Sequence, residues 1–87
     1  MTLHSSGTSD FWEQYRCLPF DVRQLARRAY RRWQMDPFHP SLHFKKVGAG
    51  NWSVRVGLNY RAIGKFAADG TFLWEWIGSH ADYDAKL

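Results

Sequence analysis

The chain carries one cysteine, Cys17, and three prolines in 87 residues. A lone thiol excludes an internal disulfide and any cysteine-rich metal centre. No apolar run approaches the roughly 18 residues that cross a bilayer. The opening MTLHSSGTS also lacks the apolar stretch of a signal peptide, so a cytoplasmic protein with no membrane contact is expected. Acidic residues are in deficit: eight Asp and Glu face twelve Lys and Arg, a formal charge of +4. Internal repeats and low-complexity tracts are missing too. Together these absences exclude a transmembrane protein, a secreted disulfide scaffold and, at this length, a large enzyme.

What is present is apolar bulk and arginine. The composition is 45% hydrophobic and 17% aromatic, with five Trp, which supports a packed interior and argues against disorder. A chain of this size buries roughly 60–65% of its unfolded surface, enough for a single domain over residues 1–87. Eight of the twelve basic residues are Arg, the side chain that grips phosphate or carboxylate with two hydrogen bonds.

The hydrophobic period changes midway. From Ser9 to Asp36 it is helical, and from His43 to Ile77 it alternates as in strands. Thr8 or Ser9 caps a short helix carrying Phe11, Trp12 and Tyr15, which Leu18-Pro19 ends. Asp21 is expected to cap a second helix, with Val22, Leu25, Ala26, Ala29, Tyr30 and Trp33 facing inward. Arg23, Arg27, Arg28, Arg31 and Arg32 cover its opposite side, and Asp36-Pro37 stops it.

Strands follow at Asn51–Gly57, Tyr60–Phe66 and Thr71–Ile77, preceded by a short one at His43–Val47. Asp69-Gly70 is a hairpin signal. Ser79 with Asp82 resembles a capping box for a final helical turn through Lys86. The fold class is therefore α+β: two N-terminal helices on one face of a twisted antiparallel sheet of three to four strands, with a short C-terminal helix. Trp52, Val54, Val56 and Phe66 belong to the helix-covered face. Ser53, Arg55, Arg61, Lys65 and Glu75 belong to the open one. Two arginines on neighbouring strands of an open face repel each other unless an anion or carboxylate offsets them.

The sequence here resembles the RelE/ParE superfamily of small bacterial toxins from toxin–antitoxin operons. The resemblance lies in FWEQYRCLP (Phe11–Pro19), PFHPSLHFKK (Pro37–Lys46), WSVRVGLNYRA (Trp52–Ala62) and WIGSHADYD (Trp76–Asp84). It implies a curved antiparallel sheet backed by two helices, with a cleft on the exposed face. The family usually opens with a β-strand, so residues 1–9 are expected to be flexible or to hold a short or missing first strand.

RelE-like members cleave mRNA in the ribosomal A site by attack of a ribose 2′-hydroxyl on the adjacent phosphate. The resemblance assigns Arg61 to the scissile phosphate and Arg55 to a basic strand position of the same site. It places His80 beside the leaving group and Tyr83 where an aromatic stacks or hydrogen-bonds at the substrate. Ser53 stands where a second basic residue occurs in the most active members. Lys45 and Lys46 form a basic edge suited to ribosomal RNA. No cofactor or metal is implied, and the expected partners are a cognate antitoxin and the ribosome with its mRNA. ParE-like members share the fold, lack this residue set and inhibit DNA gyrase without catalysis. A catalytically inactive antitoxin-binding homologue is the third reading.

Each assignment has a plainer counterpart. Arg61 can pair with Glu75 as a surface ion pair worth little. His80 can merely open the last helix, although a histidine's two protonation states both suit acid–base work. Tyr83 can tuck the C-terminus against the sheet, and the Arg23–Arg32 stripe can be the wet side of a helix rather than an antitoxin or RNA surface. His39 and His43 are four apart, but Pro40 between them prevents alignment as metal ligands. Trp74 and Trp76 exceed what one strand of so small a core needs, so one of them is expected to meet a partner.

Overall fold

Local chemistry accounts for most element boundaries in the structure, a computed structural model that describes residues 4–86. Thr8 is the N-cap of α1 (Ser9–Arg16), its Oγ1 accepting the Phe11 N–H at 3.1 Å. α2 spans Phe20–Met35, and Pro19 occupies its N-cap with φ −55°. The expected Asp21 cap is therefore corrected. The proline's fixed φ suits helix entry, and Asp21 lies in the first turn, where its charge favours the positive helix end. Asp36 follows the last turn, as expected from Asp36-Pro37.

A 3₁₀ turn at Pro40–Leu42 leads through His43, whose φ of 46° reverses the chain. Strands β2 (Lys45–Gly48), β3 (Asn51–Val56), β4 (Tyr60–Phe66) and β5 (Phe72–Ser79) follow, then α3 (His80–Lys86). The Ser79 Oγ accepts the Asp82 N–H at 3.1 Å, the expected cap. The His80 N–H donates to the Asn59 carbonyl at 2.7 Å, tying the start of α3 to the β3–β4 turn.

Among the described residues the sheet has five strands, β1 (Ser5–Gly7) and the four above, in the order β1-β5-β4-β3-β2. The extra one is β1, which pairs parallel with β5 and makes the sheet mixed rather than purely antiparallel. Of the alternatives expected for residues 1–9, the short first strand is the one found, at Ser5–Gly7, while residues 1–3 lie outside the described residues. Ser-Ser-Gly has no alternation to read. Its strand geometry comes from the β5 edge, to which Thr8 N–H donates at the Trp74 carbonyl, 2.9 Å.

The core lies between the sheet and the two helices. Trp33 of α2 is wholly buried, with ring centroids of Phe72 and Trp74 each 5.1 Å away and Phe44 at 5.9 Å. Val54 and Val56 join it from β3, as expected, while Phe66 stays 41% exposed at the sheet's end.

β5 contains the decisive irregularity. Ile63 pairs with Trp76 but Gly64 pairs with Trp74, so Glu75 is an extra residue, a β-bulge. One extra residue inverts the alternation. Phe72 and Trp74 point into the core before the bulge and Ile77 after it, so Trp76 shares the opposite face with Ile63 and Arg61.

Candidate functional site

The face away from the two N-terminal helices holds Ser53 on β3, Arg61 and Ile63 on β4, and Trp76 and Gly78 on β5. Arg61 and Gly78 are directly opposite, as are Ile63 and Trp76. A Cβ on Gly78 would stand 2.7 Å from the Trp76 ring, so only glycine lets that indole lie across the strand. α3 closes over part of this face and lowers Tyr83 onto it. Tyr83 is 5% exposed and sits at the centre of a cluster. The Arg61 Cζ lies 5.3 Å from its ring centroid, His80 stacks on it at 5.9 Å and 26°, and Trp76 is 6.4 Å away.

Arg61 is held from two sides. Its Nη1 donates to the Ser53 Oγ at 3.3 Å, and its plane is attracted to the Tyr83 ring. The remaining guanidinium N–H groups have no carboxylate, because the described ion pairs are Lys65–Glu75 at 3.6 Å and His80–Asp84 at 3.5 Å. Glu75 therefore serves Lys65 and not Arg61. A fixed, half-buried guanidinium with donors to spare is suited to a tetrahedral oxyanion. His80 opens α3 with its Nε2 facing the Asp84 Oδ2 and about half of its side chain exposed, which suits proton transfer to a bound molecule.

Arg61, His80 and Tyr83 thus come together, whereas four other predicted residues stand differently. Ser53 was expected on an open face. It is wholly buried, and its hydroxyl accepts the Arg61 hydrogen bond. Arg55 is opposite Arg61 across the strand pair, yet its Nε donates to the Gly57 carbonyl at 3.1 Å and its Nη1 lies 3.4 Å from the His43 Nε2. Repulsion between facing guanidiniums favours this parting. Lys45 pairs with Ser53 and shares the cluster's face, two strands away from Arg61. Lys46 points to the other face, its Nζ 6.0 Å from the Trp52 ring, so it does not join the cluster.

Two participants escaped the sequence reading. Asp84 was legible in principle, four residues after His80. Trp76 was not, since the bulge that turns it outward has no local signature. Trp74 is core, at 7% exposure. Among the described residues, no three His, Cys, Asp or Glu side chains gather as metal ligands. His39 Nδ1 instead bonds the Ser41 hydroxyl at 2.8 Å.

Comparison with solved structures finds the same fold repeatedly. A chain of the toxin–antitoxin complex RelBE2 from Mycobacterium tuberculosis superposes with a TM-score of 0.75 at 15% identity, covering 92% of this chain and 100% of that one. The RelB–RelE antitoxin–toxin complex from Methanococcus jannaschii gives 0.71 at 17% identity, with 93% and 96% covered. A mutant of the E. coli toxin RelE in the free state gives 0.75 at 10% identity, with 99% and 92% covered. No match is found among curated protein sequences. A family model described as a ParE-like toxin domain matches residues 21–85, from the first turn of α2 to the last turn of α3. With most of its length under that model and the RelE fold throughout, the chain belongs to the ParE-like toxin domain family, within the RelE/ParE superfamily of toxins.

Proposed function

We propose that this toxin domain is a metal-independent endoribonuclease that cuts mRNA on the ribosome and is held inactive by a cognate antitoxin. The observation that carries the reading is the meeting of Arg61 and His80 on one ring, Tyr83. In the reaction, the ribose 2′-oxygen attacks the adjacent phosphorus and the P–O5′ bond breaks, leaving a 2′,3′-cyclic phosphate and a 5′-hydroxyl. The 2′-hydroxyl loses a proton and the 5′-oxygen gains one. Arg61 neutralises the charge that builds on the non-bridging oxygens, and His80 supplies the proton to the 5′-oxygen. Tyr83, being buried, orients both groups. Ser53 holds Arg61 from below. Lys45, on the same face, approaches flanking RNA phosphates, a contact that weakens with salt. The RelBE and RelB–RelE complexes among the structural neighbours support an antitoxin partner.

Induction in bacteria followed by mapping of mRNA 5′ ends tests this. In-frame cuts are expected, and both Arg61→Ala and His80→Ala abolish them. Lys45→Ala costs less, because only Arg61 meets the transition state. A second reading, gyrase inhibition, is favoured by the ParE-like family model and by the turning away of Arg55. Intact mRNA with accumulating DNA breaks replaces the first reading with the second.

A further inference from the structure

The arginine stripe of α2 is not one surface. Arg27 Nε donates to the Tyr15 hydroxyl at 3.0 Å, toward α1, and Arg23 lies over the Phe20 ring at 5.7 Å. The others look the opposite way. Arg28, Arg31, Arg32 and Met35 repeat at i, i+3, i+4 and i+7, a single face covering about 10 Å of helix axis. They line a groove of about 890 Å³ that continues past the 3₁₀ turn to Arg55 and to Leu58 in the β3–β4 turn. Among the described residues, Asp36 is the one acid in its lining. Arg32 reaches the Ser41 hydroxyl at 3.3 Å, and none of the four arginines meets a carboxylate among the described residues. Met35 and Leu58 are each 78% exposed, so the groove pairs concentrated positive charge with bare aliphatic surface.

From this we infer that the groove between α2 and the β3–β4 turn binds an acidic amphipathic segment of a partner protein. Such a segment carries carboxylates at three- and four-residue spacing, with aliphatic residues between them. Charge alone would suit RNA equally. A single-stranded RNA site, however, offers aromatic rings on which bases stack, and no described Phe, Tyr or Trp lines this groove. The exposed methionine and leucine gain from covering by aliphatic side chains, which a phosphate backbone cannot supply. The inference deepens the antitoxin part of the proposal above, and it stands apart from the Arg61–Tyr83–His80 cluster.

The probe is a fluorescent peptide of about 15 residues with Glu and Leu on one helical face, long enough for a marginal helix to form on binding. An oligouridylate of equal charge is measured beside it, with the full-length chain as receptor. The peptide is expected to bind more tightly than the RNA. Arg28→Glu with Arg32→Glu weakens it about tenfold or more, and Met35→Ala with Leu58→Ser weakens it about threefold to tenfold. These side chains are at the surface, so the variants should keep the thermal melting profile. Tighter RNA binding, or peptide binding indifferent to Met35 and Leu58, overturns the inference. His80→Ala separates it from the nuclease reading: peptide affinity should be unchanged while cleavage is lost. A chain that binds the peptide but cuts no mRNA keeps the groove and loses only the nuclease.

Discussion

At the residue scale, Tyr83 joins groups that the sequence places far apart. Its ring touches the Arg61 guanidinium from α3, stacks with His80 three positions earlier on the same helix, and has the tilted Trp76 ring 6.4 Å away. A cation over a buried aromatic ring gains about 0.5–2 kcal/mol and, more usefully, loses its freedom to wander. Tyr83→Phe keeps that ring and is expected to leave cleavage within about threefold, whereas Tyr83→Leu removes the contact and should slow it roughly 5- to 30-fold. Single-turnover cleavage, with circular dichroism as a check on folding, distinguishes the two. Equal loss in both variants would move the role from the ring to the hydroxyl. Arg61, His80 and Tyr83 were all legible as candidates from the sequence. What could not be read was that Ser53 would be wholly buried, because strand alternation names a face but not what lies over it.

Elements are decided partly by local rules and partly by their neighbours. The helix boundaries at Thr8, Asp36 and Ser79 follow from capping and proline chemistry within a few residues. The β4–β5 turn is equally local. The Asp69 carboxylate accepts the Thr71 N–H at 2.9 Å, and that bond holds its pKa below the ordinary value near 3.8. A depressed carboxyl stabilises the fold above its unfolded value and stops doing so as pH falls through the folded one. Asp69→Ala should therefore lower Tm at neutral pH, with the difference from the parent chain shrinking once the pH drops below about 3.8. Melts across that range measure it, and a constant gap at all pH values would assign the loss to turn propensity alone. By contrast, the Glu75 bulge and the parallel strand β1 depend on pairing partners distant in sequence. No local window announces either.

Across the whole molecule, one buried indole sets the spacing of the layers. Trp33 meets Phe44, Phe72 and Trp74, so helix α2 is keyed both to β5 and to the segment leading into β2 through a single side chain. Trp33→Ala should cost about 3–5 kcal/mol. A domain of this size commonly has little more than about 5–15 kcal/mol to lose. A large fall in the urea midpoint is expected, and a small one would mean the layers close over the gap. The α+β class, the helix pair, the hairpins and the basic surplus were determined by the sequence alone, because periodicity, caps and charge act over a few residues. Tertiary structure decided which arginines stand together. Arg55 and Arg61 are cross-strand neighbours that part, while Arg28 and Arg55 are remote in sequence and share a groove. Charges repel and rings attract through space, and only the fold sets those distances.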